Sequence, residues 1–429
     1  MLDMLSVEIV EMIVHALEDK TSLLALRCVS RYLCKATFAL FATNWFTTLV
    51  IDFTPRSLQR LSNISKSQDL KSRVRCLLVG DCYRPPVVGP LGGHGDDDQT
   101  RVLGEGHTWP RLESGCLDLE SQPTKDFSAA LRGFTGCTEI CVTDDLDGET
   151  DDDDDSTSTG LSLADTCYIM LSLLGTDGGL QIPSFAFMFE QHSYSALAER
   201  LSPNLVDILT QSSWSSHLKN LEITWEVCTE TANSTMVDLI TTAGRLKSLS
   251  FRHMLFNNGV FQQLADAPQV PALTKLEILD LTAISPSVIS NAIARFQLSL
   301  KSLRIKAVKM ANHGEFDTFL KLLSDQSLPA LESVTIEDCL NVFFCPIRLK
   351  QSTMEQYGGV LEFVLKGFRR KARVSGIRYR GSGEGMRLAL RTIRDSTRDK
   401  SWSVFSESDL PVMFSHNGER AWHTVKRLL

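Results

Sequence analysis

Along Val7 to Glu18 the polar residues Glu8, Glu11, His15 and Glu18 fall at i, i+3, i+7 and i+10, one stripe of a helix. Between them stand Val7, Ile9, Val10, Met12, Ile13, Val14, Ala16 and Leu17, all apolar. That arc is far wider than the ~100° a single packing face requires. A turn follows, where Asp19, Thr21 or Ser22 can cap a second helix by accepting its free backbone N–H groups. Leu23, Leu24, Ala25, Leu26, Cys28 and Val29 make this second helix equally apolar, and Arg31 to Phe41 predicts a third carrying Leu33, Phe38, Leu40 and Phe41. Three short helices in roughly 45 residues cannot bury so much surface among themselves. The remainder is covered either by the rest of this chain, as in a helical cap, or by another chain, as in a docking module.

From Val74 onward the pattern changes to apolar-x-x-apolar-x-apolar. The best copies are Leu218-Lys-Asn-Leu221-Glu-Ile223, Leu246-Lys-Ser-Leu249-Ser-Phe251, Leu276-Glu-Ile-Leu279-Asp-Leu281, Leu300-Lys-Ser-Leu303-Arg-Ile305 and Leu331-Glu-Ser-Val334-Thr-Ile336. Their starts give steps of 28, 30, 24 and 31. The alternation closing each copy suits a short strand with one buried face. Thr235 to Ala243, Val260 to Ala265, Ser287 to Phe296 and Phe316 to Leu323 predict helices in the intervals, with Pro271, Pro286 and Pro329 at the joints. Strand, turn, helix, strand at such a period is the unit of a solenoid with a parallel inner sheet. A doubly wound α/β domain alternates the same elements but would not repeat a Leu-Lys-x-Leu phrase at each strand. Weaker copies begin at Val74, Cys137, Ile182 and Val374. Two loop excursions interrupt the array, near 85–110 (rich in Gly, Pro and Asp) and near 144–160 (acidic, then Ser/Thr-rich).

Charge sharpens this picture. The 429 residues carry a formal −8, yet Asp96 to Asp98 and the nine acids between Asp144 and Asp155 account for twelve negative charges, and the rest is +4. The acidity is confined to the two excursions, and no basic stripe of the nucleic-acid-binding kind stands out. Met1 to Leu17 carries Asp3, Glu8 and Glu11 where a secretory leader would carry Lys or Arg. The apolar stretch Leu161 to Leu174 is short of the ~20 residues a membrane span needs. Eleven cysteines without a Cys-x-x-Cys pair read as reduced thiols. These features point to the cytoplasm or nucleus, with neither a membrane nor a nucleic acid as partner.

The N-terminal residues carry a resemblance. Leu5-Ser6-Val7-Glu8-Ile9, then Ile13 and Leu17, then Leu23-Leu24-Ala25-Leu26-Arg27-Cys28-Val29-Ser30-Arg31 and Phe41 resemble an F-box, whose usual form opens Leu-Pro-x-Glu-Ile and continues to a Leu-x-x-Val-Ser-Arg second half. Ser6 stands where that family usually has proline, and a serine there can itself cap the helix. Tyr32 follows Ser30-Arg31 directly, where many members place an aromatic after a longer gap. The resemblance implies docking in a hydrophobic groove of the Skp-type adaptor of cullin–RING ubiquitin ligases, with Leu5, Ile9, Ile13, Leu17, Leu23, Leu26 and Val29 carrying the contact. The rest of the chain resembles the divergent leucine-rich-repeat region that follows many fungal F-boxes, which implies a repeat surface that receives a protein substrate.

The expectation is an α/β chain: a three-helix F-box-like module over 1–48, a leucine-rich-repeat-like solenoid over 49–394, and a tail or cap over 395–429 in which Ala421 to Leu429 forms a last short helix. Its expected role is that of a non-catalytic substrate receptor of an SCF-type ligase, joined through the adaptor to a cullin. The alternative is an interaction scaffold that works without the ligase. No cofactor or metal is expected. Gly381-Ser-Gly383-Glu-Gly385 lacks the Gly-x-Gly-x-x-Gly and Lys-Ser/Thr features of phosphate loops and reads as a strand-to-helix turn. Asp145, Asp147, Gly148 and Asp154 lack the closing bidentate Glu of a calcium loop and would need Thr143 as first ligand. Ser156 to Thr159, beside the acids, reads as a polar linker, with an acid-directed kinase site as the sharper alternative. The nine histidines form no His-x-x-x-His pair, Cys339 and Cys345 read as core, and no nucleophile elbow is present. An enzyme on this framework would need a concave pocket with convergent titratable groups.

Overall fold

The structure, a computed structural model, describes residues 5–17, 19–80, 109–112, 117–144, 161, 163–175, 181–189, 209–210, 213–224, 229–252, 258–282, 284–310, 315–326, 328–339, 360–368, 371–381, 385–387 and 390–391. The chain forms two compact units, Met1–Ala186 and Phe187–Leu429.

The first unit begins with α1 (Val7–Ala16), α2 (Lys20–Val29), α3 (Arg31–Ala36) and α4 (Phe38–Phe46), then alternates β1 (Thr48–Ile51), α5 (Pro55–Lys66), β2 (Cys76–Gly80), α6 (Gln122–Arg132), β3 (Glu139–Thr143), α7 (Leu163–Gly175) and β4 (Ser184–Met188), inside which the unit ends. The strands lie in chain order, with β1, β2 and β3 parallel. Leu49, Leu77 and Ile140 align in one row and Ile51, Val79 and Val142 in the next, all buried. Helix α5 starts on a Thr54 cap that accepts from the Ser57 N–H, with Pro55 in the first turn, where its missing N–H deprives the helix of nothing. Helix α7, which contains most of the Leu161–Leu174 stretch, is buried along most of its length. Its Asp165 is held by a bidentate pair with Arg111 at 2.7 and 3.1 Å, which satisfies a carboxylate that would otherwise be costly to bury. Phe53 takes a left-handed backbone (φ 59°), strained for a bulky side chain, and is locked by ring contacts to Trp109 at 5.5 Å and Phe127 at 5.1 Å.

The second unit continues with α8 (Ser213–His217), β5 (Asn220–Thr224), α9 (Glu230–Thr242), β6 (Ser248–Arg252), α10 (Asn258–Asp266), β7 (Lys275–Leu279), α11 (Pro286–Ala294), β8 (Ser302–Lys306), α12 (Glu315–Asp325), β9 (Ser333–Glu337), β10 (Val360–Phe368) and β11 (Lys371–Arg380). Strands β5 to β9 are parallel and in chain order, followed by β11, antiparallel to β9, and then β10, antiparallel to β11. Leu221, Leu249, Leu276, Leu303 and Val334 form one inward row, and Ile223, Phe251, Ile278, Ile305 and Ile336 the next, every member at most 2% exposed. Each strand-and-helix repeat is stitched to the next at the strand start. The carbonyl of Lys219 accepts from the N–H groups of both Lys247 and Ser248, and those of Lys247, Thr274 and Lys301 repeat the arrangement. At the other end Asp280, Ala307 and Asp338 share a left-handed turn (φ 56°, 55° and 53°), and the Asp280 and Ala307 N–H groups extend the ladder to Lys306 and Glu337.

The register corrects three readings of the sequence. The third repeat begins at Leu273, not Leu276, because Leu276 aligns with Leu249 and Leu303; strand starts at 220, 248, 275, 302 and 333 then step by 28, 27, 27 and 31. The copy at Val374 is no parallel repeat. It lies on β11, which runs antiparallel to β9 and pairs with β10 across a connection of two residues, far too short for the crossover that parallel strands require. The third helix is two: Thr37 breaks it, its Oγ1 donating to the Leu33 carbonyl at 2.7 Å while its N–H is shared between Leu33 and Lys35, and α4 runs on to Phe46. The copies at Val74, Cys137 and Ile182 lie on β2, β3 and β4 in the expected phase, and β1 is a further copy that the sequence reading did not include. The expected tail over 395–429, Cys345, and the two excursions except Trp109, Pro110 and Asp144 lie outside the described residues.

Candidate docking face

Helices α1 to α4 close on a small core of Val10, Val14, Leu23 and Leu33, against which Leu5, Leu17, Leu26, Tyr32, Ala36, Leu40, Phe41 and Trp45 pack. The polar residues pin this arrangement. Asp19 caps α2, accepting from the Ser22 N–H at 2.6 Å, and hydrogen bonds from the Ser22 hydroxyl and then its N–H hold the Asp19 carboxyl below its ordinary range. Ser30 ends α2 and caps α3, its hydroxyl accepting from the Leu33 N–H at 3.2 Å. Arg27 donates to the Cys34 carbonyl at 3.1 Å and to Thr37 Oγ1 at 3.2 Å, with its guanidinium 4.1 Å from the Phe41 ring centre. The Tyr32 hydroxyl donates to the Leu5 carbonyl, tying the start of α1 to α3. Ser6 precedes α1 with φ −68° and ψ 158°, a backbone that proline also adopts, so serine here leaves the helix start unaltered. Its hydroxyl makes no cap bond; it bonds instead to Glu8, lowering that carboxyl's pKa.

With the core on one side, apolar residues elsewhere on α1 and α2 are left open, on α1 beside the exposed Glu8 and His15. Of eight large apolar side chains exposed among the described residues, five fall on these two helices: Met12 at 67%, Val29 at 61%, Val7 at 44%, Ile9 at 43% and Leu24 at 40%. Ile9 and Met12 lie opposite Val10 and Val14 on α1. On α2 the exposed Leu24 and Cys28 form one i, i+4 pair and Ala25 and Val29 another.

The seven residues singled out from the sequence are therefore not equivalent. Ile9 and Val29 face solvent, while Leu5, Ile13, Leu17 and Leu26 are half-buried, and Leu5, Leu17 and Leu26 flank the core. Leu23, 1% exposed, is core and offers almost no surface. Val7, Met12 and Leu24 are the exposed side chains that the sequence reading did not single out. The helical angle measured from Val10, Val14 and Leu23, once these are known to be core, would have found Met12 and Leu24; Val7, three and seven residues before Val10 and Val14, lies on their side of α1 and would not have been found. Full burial of an aliphatic side chain contributes about 1.5–3 kcal/mol, so five half-exposed ones contribute about 4–7 kcal/mol, against association costs of about 4–15 kcal/mol. A tight partner thus has to engage the half-buried flank as well.

Among the described residues no group of three or more His, Cys, Asp and Glu is arranged to hold a metal, and no helix is long and apolar enough to cross a membrane. Burial pushes the thiols of Cys137 and Cys339 up to about 12 and that of Cys76 to about 11, so they stay protonated and unreactive at neutral pH. Gly381 follows β11 directly, its N–H donating to the Glu332 carbonyl at 2.9 Å, while the calcium-like residues Asp145, Asp147 and Asp154 lie outside the described residues. No protein-family model matches the sequence, and no curated protein matches it with significance.

Proposed function

We propose that this chain is the substrate-receptor subunit of an SCF-type cullin–RING ubiquitin ligase, with α1 and α2 docking a Skp-type adaptor and the repeat surface selecting a target protein. The reading rests on one observation above the rest. The segment whose residues resemble an F-box folds into helices that leave Ile9, Met12, Leu24 and Val29 exposed on the sides turned away from their core. Its Ser30 cap and the Arg27 and Tyr32 bonds give the motif's polar residues a local structural role. The parallel strand-and-helix units that follow supply a broad, regular surface suited to a protein ligand. In this role the chain performs no bond chemistry. It raises the effective concentration of a target lysine beside a charged conjugating enzyme.

The test is a pull-down of the purified chain with recombinant Skp-type adaptor, using wild type and an Ile9→Asp, Val29→Asp double variant with matched circular dichroism. Because both side chains face solvent, the variant is expected to fold and to lose adaptor binding. Failure of well-folded wild type to bind would leave the ligase-independent scaffold as the better reading.

A further inference from the structure

In the second unit the residues alternating with the inward rows lie on the other face of β5 to β9 and of β11, where Thr224, Ser250, Leu279 and Glu337 are buried and the longer side chains stand out. The register places Glu222, Ser250, Glu277, Arg304, Thr335 and Arg378 in one row, and Thr224, Arg252, Leu279, Lys306 and Glu337 in the next. A third row begins each strand with Asn220, Ser248, Lys275, Ser302 and Ser333, and ends on Arg380. These outward positions hold six cations (Arg252, Lys275, Arg304, Lys306, Arg378 and Arg380) and three carboxylates (Glu222, Glu277 and Glu337), an excess of three positive charges in a chain of formal charge −8.

The two signs are layered. Arg252 pairs with Glu222 at 2.8 Å and Lys275 with Glu277 at 2.8 Å. Arg304 bridges Glu277 at 3.6 Å and Glu337 at 3.3 Å, and Arg378 reaches Glu337 at 3.3 Å. The side chains of Glu277 and Glu337 are only 13% and 10% exposed, whereas those of Lys275, Arg252, Arg304 and Arg378 are 47%, 43%, 39% and 36% exposed. The carboxylates of Glu277 and Glu337 therefore sit low and hold the cations in place, while Glu222, at 31%, stands nearly as exposed as its partner Arg252, and over β7 to β9 and β11 an approaching molecule meets the cations first. Lys306 and Arg380 have no acidic partner among the described residues. Between the long side chains stand Ser248, Ser302, Ser333 and Thr335, which give a low, hydroxyl-lined floor where an extended backbone can approach.

From this layering we infer that the outward face of β5 to β9 and β11 binds an extended, acidic protein segment, its carboxylates received by Arg304, Lys306, Arg378 and Arg380. A nucleic acid fits less well. Its phosphates recur at every step, and Glu277 and Glu337 in the middle of the face would oppose them, whereas a peptide can place acids only where cations stand. The inference rests on the receptor reading only in taking the segment to belong to a target.

The experiment uses the full chain and a short fluorescein-labelled peptide of alternating glutamate and serine, read by anisotropy at low and at physiological salt. Lysine–serine peptide and single-stranded oligonucleotide of equal length serve as comparisons. Saturable binding of the acidic peptide, weakened by salt, is expected. A Lys306→Glu, Arg380→Glu variant, which disturbs none of the ion pairs above, is expected to weaken it about tenfold. The milder Lys306→Gln, Arg380→Gln variant replaces it if the reversals alter the melting curve. Absence of acidic-peptide binding by wild type, equal binding by the variants, or tighter binding of the oligonucleotide would each overturn the proposal. Adaptor binding measured on the same preparations separates the two claims, since it depends on α1 and α2 and not on this face.

Discussion

Ile9 on α1 and Ile278 on β7 belong to equally apolar stretches of sequence, yet Ile9 is 43% exposed and Ile278 is fully buried. Leu24 on α2 and Leu276 on β7 make the same contrast, at 40% and 2%. The strand residues have in-register neighbours on both sides, Phe251 and Ile305 in the case of Ile278, and the same arrangement recurs at each step. The helix residues belong to an arc that is apolar on both sides, and the core of Val10, Val14, Leu23 and Leu33 closes only one of them. Apolar density therefore reports burial within the chain only where the chain supplies a repeating partner. Where it does not, the same density stays on the surface, as at Ile9 and Leu24.

Truncation should separate the two regions most strongly. Ile278→Ala is expected to lose about 2–5 kcal/mol in urea unfolding, whereas Ile9→Ala is expected to stay within about 0.5 kcal/mol of wild type. Similar losses for both would mean that Ile9 is as well packed as the strand core, and the comparison would collapse. A smaller and opposite effect is expected at the turn after β8. Ala307 adopts φ 55° where a Cβ is disfavoured, so Ala307→Gly should raise stability by about 0.5–1 kcal/mol. A loss there would imply that the methyl group contributes more through packing than the left-handed backbone costs.

Much of the second unit was legible because the phrase and the strand obey the same physics. Copies at Leu218, Leu246, Leu300 and Leu331 mark strands in the expected phase, since one face of each must be apolar at alternate positions. Leu276 misled because Leu279 and Leu281, just past the inward pair, are also buried and satisfy the same template three residues on. Only the partner strand fixes the phase. Val374 misled for a different reason: alternation has no direction, and an antiparallel strand displays it as well as a parallel one. In the helical module the existence of two apolar helices could be read, but not which side each turns to its core. Leu23 and Leu24 are adjacent and chemically identical, and tertiary packing alone makes one core and the other surface. The charge layering on the outward strand face was equally hidden, because it depends on which of the scattered Glu, Arg and Lys residues share a row.

The central claim is that the exposed apolar residues of α1 and α2 are the adaptor's docking face, whereas the apolar rows of the strand-and-helix units are closed within the chain. Hydrogen–deuterium exchange of the full chain, with and without a Skp-type adaptor, addresses it directly. Added protection on amides 7–29 with unchanged exchange in β5 to β9 is the result predicted. Unchanged exchange over 7–29, or protection appearing instead along the strands, would contradict it.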